Sequence, residues 1–140
     1  MADHNASEPN PGTTAGLAQW HAVVKGRDPV QLDDLLSDDV VFTSPIVHTP
    51  QVGKGLTTMY LTGAMHVLGN DSFTYVREVV DGPNAVLEFE TVVDGITVNG
   101  VDMIRFNEAG QIVDFKVMLR PMKAINLVGQ KMAAMLEALR

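Results

Sequence analysis

At Ser72 the spacing of apolar residues changes from the helical period to the strand period of two, and it stays there to Arg120. Four alternating runs result, at residues 72–80, 85–93, 96–106 and 111–120. They are separated by Asp81-Gly82-Pro83-Asn84, by Asp94-Gly95 and by Asn107-Glu108-Ala109-Gly110. An Asp-Gly pair between alternating runs supplies the positive φ angles of a tight hairpin, so the runs are predicted to form an antiparallel meander. The second run places Ala85, Leu87, Phe89 and Thr91 opposite Glu88 and Glu90. The fourth places Val113, Phe115, Val117 and Leu119 opposite Asp114, Lys116 and Arg120. One face of the sheet is therefore apolar and must be covered.

The residues before the meander supply the cover. Leu17, Trp20 and Val24 lie at helical spacing, predicting a helix capped by Thr13 or Thr14 and ending near Lys25. Asp28-Pro29 opens a short helix through Leu35 and Leu36, and Asp38-Asp39 turns into a strand, Val40-Val41-Phe42-Thr43, stopped by Ser44-Pro45. Ile46 to Gly55 reads as an irregular loop. Leu56, Met59, Tyr60, Gly63, Ala64, Val67 and Leu68 then mark the clearest helix, closed by Gly69-Asn70. After the meander, Pro121 begins a last helix with Met122, Ile125, Val128, Met132, Leu136 and Leu139 on one stripe. Helices followed by an antiparallel run predict an α+β fold, with the helices on one face of a curved sheet.

Composition removes whole classes of function. With 140 residues, one domain is expected, over residues 13–140, behind a polar tail at residues 1–12 that lacks the apolar surface to order itself. There is no Cys, which excludes disulfides, thiolate zinc sites and cysteine nucleophiles. A net charge of -7 speaks against nucleic acid, which needs a basic face. No apolar run approaches the roughly 18 residues of a membrane span, so no membrane partner is expected. The first residues have neither the cationic start nor the apolar core of a signal peptide, and a cytoplasmic location is expected. The four His show no paired ligand spacing and no nucleotide or flavin motif is present, so neither metal nor cofactor is expected.

One residue breaks the pattern. The third run puts Ile96, Val98, Gly100, Asp102, Ile104 and Phe106 on one face, so Asp102 falls on the apolar phase. A one-residue slip would expose Asp102, but also the two Ile, the Val and the Phe, which fixes the phase. A carboxyl group facing a core is costly unless it is protonated or hydrogen-bonded, and burial raises its pKa. Asp102 is thus an acid, a base or a donor in a pocket, or else a structural carboxyl satisfied by Tyr60, Trp20 or backbone groups.

The run from Val101 to Ile112 resembles the corresponding stretch of the ketosteroid isomerases and, more broadly, the SnoaL-like branch of the nuclear transport factor 2-like superfamily. Leu36-Ser37-Asp38-Asp39-Val40-Val41-Phe42, then Ser44-Pro45 and Gly53-Lys54-Gly55, fit the same pattern. The resemblance covers residues 14–120 and implies a cone: a strongly bent sheet around three helices, with a pocket opening between them. It also implies a homodimer packed through the outer sheet face, where Val101, Met103 and Met118 stand among the charges. Ketosteroid isomerases are the type case of a neutral Asp that donates a hydrogen bond to a developing oxyanion. Asp102 matches that Asp. Trp20 falls where a helical Tyr oxyanion donor would be, and Ser44 where the proton-shuttling Asp would be. An indole N–H can still donate, but a Ser hydroxyl is no general base at neutral pH without help, so the isomerase reaction is not carried over complete. The Asp-Arg-Asp set of the epoxide-hydrolase members is not matched either.

His48, in the loop that the resemblance places at the pocket mouth, could supply the missing base; without a partner it would be an exposed loop histidine. His21 and His66 flank apolar stripes and read as rim or surface residues. Tyr60 would present its hydroxyl to the pocket or to the core. The expected ligand contacts are Trp20, Ser44, Tyr60, Phe89, Phe115 and Val117, with Asp102 and His48 as the catalytic pair. The Met residues read as ordinary core filling, and the last helix, without counterpart in the resemblance, is expected to cap the mouth or to pack across a dimer. The expected activity is acid–base chemistry of isomerase, cyclase or hydrolase type on a small apolar oxygenated compound. The alternative is a non-catalytic binding protein using the same pocket.

Overall fold

In the computed structural model, which describes residues 8–139, the chain begins with α1 (Pro11–Gly26), a single 3-10 turn (Pro29–Gln31) and α2 (Leu32–Leu35). It continues through β1 (Leu36–Thr43), β2 (Gln51–Val52) and α3 (Lys54–Leu68). The meander β3 (Thr74–Asp81), β4 (Asn84–Val93), β5 (Ile96–Phe106) and β6 (Ile112–Arg120) follows, and α4 (Met122–Ala138) closes the chain. The six strands form one curved sheet in the order β2-β1-β6-β5-β4-β3, antiparallel except where β1 runs parallel to β6. The fold is α+β, with the helices on the concave face. No helix among the described residues is long and apolar enough to cross a membrane.

The predicted phase holds across the inner face. Ala85, Leu87, Phe89, Val98, Ile104, Phe106, Phe115 and Val117 are buried together with Leu17, Trp20 and Val23 of α1. Bulges let the sheet bend, because an extra residue in one strand increases the local twist. They lie between Leu36 and Val41, between Tyr75 and Arg77, and between Arg105 and Phe106. The last one shifts the phase of β6: Ile112, paired with Phe106, is buried, whereas Val113 is only half-buried.

Several boundaries differ from expectation. Helix α1 starts at Pro11, ahead of Thr13 and Thr14, because Pro at the first helical position is already set in helical φ. This entry is pinned: the Asn10 N–H donates to the Gly82 carbonyl at 3.2 Å and the Thr13 hydroxyl to the same oxygen at 2.8 Å. Gly12 lets the helix start lie against the turn between β5 and β6, since a Cβ there would stand 2.5 Å from the Asn107 carbonyl oxygen. Of the expected tail, residues 1–7 lie outside the described residues, 8–10 are exposed, and Pro11 and Gly12 are helical. Strand β1 begins at Leu36 rather than Val40, because Leu36 pairs in parallel with Ile112, and Asp38 and Asp39 sit exposed within its bulge. The expected loop contains β2, paired with Val41 and Phe42. In α4 the buried positions are Ala124 and Val128, while Met122 is 76% and Leu139 41% exposed, so the stripe does not reach either end.

Candidate functional site

Between the concave sheet, α1, α3 and α4 lies a cavity of about 840 Å³. Its floor is formed by β3 to β6 and α1: Tyr75, Phe89, Asp102, Phe115, Val117 and Trp20. Its roof is α4, through Val128, Gly129, Met132, Ala133 and Leu136, together with Ile46 and Val47 of the turn after β1. Tyr60 and Ala64 of α3 form a side wall.

Asp102 is buried, with 6% of its surface exposed, and faces this cavity as its phase requires. Its partner is a residue that pattern reading missed. The Tyr75 hydroxyl donates to Asp102 Oδ2 at 2.6 Å, and the Trp20 indole N–H donates to the Tyr75 oxygen at 3.0 Å. Trp20 thus reaches Asp102 only through Tyr75, and Tyr60 does not reach it; Tyr60 packs against Phe42 with ring centroids 5.3 Å apart. Asp102 Oδ1 makes no hydrogen bond among the described residues, which leaves it for whatever enters the cavity.

Burial pushes the Asp102 carboxyl up to about 7, against the lowering effect of the Tyr75 hydrogen bond. Burial first, then the neighbouring Asp102 carboxylate, raises the Tyr75 phenol well above its ordinary value, so it stays protonated as a donor. Near neutral pH the carboxyl therefore exists in both forms. Protonated on Oδ1 it can donate to a ligand oxygen; ionised it can accept a proton.

Local structure explains why these groups meet. Gly100, two residues before Asp102 on the same face, is paired with Phe89, and a Cβ there would collide with the Phe89 ring and with Leu119. The missing side chain lets Phe89 lie flat across β5, stacked on Phe73 at 5.1 Å and edge-on to Tyr75 at 6.3 Å. Trp20 packs edge-on against Phe115 at 4.9 Å, which aims its N–H at β3.

Trp20, Tyr60, Phe89, Phe115, Val117 and Ser44 all line the cavity with Asp102. Ser44 does so as a structural group: its oxygen accepts from the Ile46 N–H at 3.1 Å and the Val47 N–H at 2.8 Å, folding the turn that carries both into the roof. His48 is exposed and stands outside the lining, so the structure does not bring it to Asp102. His21 lines the cavity, where flanking position alone suggested a rim residue. No signal in β3 alone singled out Tyr75, because the adjacent Val79 and Val80 break the alternation that would have fixed its face. Among the described residues no group of three or more metal-ligating side chains comes together.

The profile of the SnoaL-like domain matches residues 17–115. A steroid delta-isomerase from Pseudomonas aeruginosa is 38% identical, with a TM-score of 0.89 over 96% of this chain and 98% of that one. An uncharacterized protein with a cystatin-like fold from Silicibacter pomeroyi DSS-3 is 31% identical, with a TM-score of 0.80 over 89% and 86% of the two chains. A nuclear transport factor 2-like protein of unknown function from Mesorhizobium loti, at 18% identity and a TM-score of 0.68 over 86% and 98%, shares the fold alone. Among curated proteins there is no match.

Proposed function

The chain belongs to the SnoaL-like domain family, and from that premise we propose that it is an enzyme of acid–base chemistry, isomerase-like, acting on a flat apolar compound that carries a carbonyl oxygen. The observation that carries this reading is Asp102: a carboxyl buried on the floor of an apolar cavity, pushed up to about 7 and held by Tyr75 at 2.6 Å. A carboxylic acid kept protonated near neutral pH is a hydrogen-bond donor where charge develops on a carbonyl oxygen, and a fixed donor in a dry site needs no reorganisation as it acts. The steroid delta-isomerase at 38% identity supports a rigid polycyclic ketone as the compound class. A cavity of about 840 Å³ has room for one.

The test is a panel of apolar ketones screened by thermal shift, with product analysis of every hit. Asp102→Ala is expected to weaken binding about 5- to 150-fold, the cost of an unpaired ligand oxygen, about 1–3 kcal/mol. Turnover should fall further than affinity, since the donor matters most in the transition state. Turnover undiminished in Asp102→Asn would remove Asp102 from the chemistry. Binding without product across the panel would favour the other reading, a binding protein that uses the same cavity.

We also propose a homodimer through the convex face. There Val79 (54% exposed), Met103 (38%) and Met118 (50%) lie apolar and open among Glu88, Arg105 and Lys116. Light scattering coupled to size exclusion should give a dimer that Met103→Glu dissociates; a micromolar monomer would refute it.

A further inference from the structure

We propose that the mouth of the cavity, at the end of α1, is an anion subsite: Lys25 and Arg27 hold a carboxylate on the far end of a ligand whose oxygen sits at Asp102. The inference rests on the reading of the cavity as the ligand site, and it is the same for an enzyme and for a binding protein.

Charge sets this end apart. The chain has 17 Asp and Glu against 10 Lys and Arg, so its surface as a whole repels an acid. Lys25 and Arg27 nevertheless both line the cavity, and both are exposed, which places them where it opens to water. Beside them in the lining stand His21, bound to Glu78 Oε1 at 2.7 Å, and Asp71, bound to Arg27. Lys25 has no ion-pair partner among the described residues.

Arg27 is held against its backbone preference. It is the C-cap of α1, at φ 51 and ψ 39, in the left-handed region where a side chain crowds the following carbonyl and glycine is favoured. Gly26 precedes it inside the helix, with open space where its Cβ would stand, so packing does not require glycine there. The two residues thus occupy the reverse of the order that would suit the helix end. A non-glycine residue kept left-handed beside a cavity is the kind of outlier that points to a ligand. A cation near the last turn also suits the helix dipole, but a helical position serves the dipole equally well.

The spacing along α1 sets the ligand's length. Trp20, which reaches Asp102 through Tyr75, lies on the same helix. At a rise of about 1.5 Å per residue, Lys25 stands about 7.5 Å and Arg27 about 10 Å further along the axis. A rigid apolar molecule with an oxygen at one end and a carboxylate about 10 Å away would engage both ends at once. The present partner of Arg27 is easily displaced. Its Nη2 lies 2.9 Å from Asp71 Oδ1, but the Asp71 side chain is fully exposed, and an ion pair between hydrated groups gives way at little cost. Once the apolar body is seated, the ligand's acid is held beside Arg27 at a high effective concentration. The guanidinium plane then takes the carboxylate through two parallel hydrogen bonds, and Lys25 adds a second charge.

The probes are a steroid ketone bearing a carboxylic acid on the ring opposite the ketone, and the methyl ester of that acid. Binding to the full chain is read by quenching of Trp20, the single Trp of the sequence. At low salt the wild type should bind the acid about three- to tenfold more tightly than the ester, and the gap should close as salt screens the charges. Lys25→Gln and Arg27→Gln should each remove most of the gap and leave the ester's affinity unchanged. Asp71→Asn should widen it, because Arg27 then has no competing anion. Arg27→Gly should lose the gap while melting no lower than the wild type, since glycine relieves the left-handed backbone. A clear drop in its melting temperature would assign Arg27 to the fold and overturn its role. Equal affinity for acid and ester at low salt, or a gap that survives both glutamine variants, overturns the subsite while the cavity reading stands. If neither probe binds the wild type, the cavity reading and the subsite fall together.

Discussion

At the floor of the cavity, Trp20, Tyr75 and Asp102 come from three different elements and are joined by hydrogen bonds of 3.0 and 2.6 Å. At its roof, α4 meets the turn after β1 through Gly129 against Ile46, and meets α3 through Gly63 against the tip of Met132. Both regions enclose the same space, but they constrain it differently. A chain of hydrogen bonds in low dielectric has one satisfied arrangement, and any member removed strands the others. A contact between glycine and a flexible thioether can reseat itself at little cost. The floor is therefore fitted to hold one oxygen in one place, and the roof to accept different apolar outlines above it.

The largest expected effect probes the floor through pH. The folded Asp102 carboxyl, raised to about 7, lies above its unfolded value of 3.8. Its native state thus holds the proton more tightly than the unfolded chain. The associated stability is complete below the unfolded value and is lost as pH rises through about 4 to about 7, by at most about 4 kcal/mol. Asp102→Asn cannot ionise, so relative to the wild type it should gain stability between pH 4 and pH 8 in denaturant titrations. A relative loss over that window would show that the floor holds an ionised carboxylate.

Next in size, Tyr75→Phe takes the acceptor from Trp20 and the donor from Asp102 together, and should cost about 1–3 kcal/mol in the same titrations. It should also raise the Asp102 carboxyl further, since the Tyr75 hydrogen bond now lowers it. A loss of only a few tenths would mean the three side chains do not act as a unit.

The smallest effect belongs to the roof. Met132→Ala removes a half-buried side chain and should cost less than the roughly 2 kcal/mol at which fully buried truncations begin. Its reading is selectivity: bulkier ketones should gain affinity relative to smaller ones, with Asp102 still required for both. Equal losses for all ligands would mean the roof is as rigid as the floor and would erase the distinction.

Much of the molecule could be read from one line of text. The meander, its turns and the inward phase of Asp102 follow from alternation, which each strand shows by itself. Trp20 follows equally from helical spacing. Tyr75 could not be placed, because β3 is an edge strand with a bulge, and its valines at 76, 79 and 80 serve neither face consistently. His48 looked better placed than His21 because loop position suggested a mouth, yet the turn that Ser44 folds leaves His48 exposed.

What the sequence determined alone is every property that repeats over a few residues: period, turn chemistry, and the misfit of one carboxyl on an apolar phase. What only the tertiary structure decided is pairing at long range. Trp20 meets Tyr75 across 55 positions, Tyr75 meets Asp102 across 27, and His21 meets Glu78 across 57. Those meetings depend on where a bulge falls and how far a sheet bends. A buried polar group needs a partner somewhere, but its own segment carries no record of which distant segment will bring it.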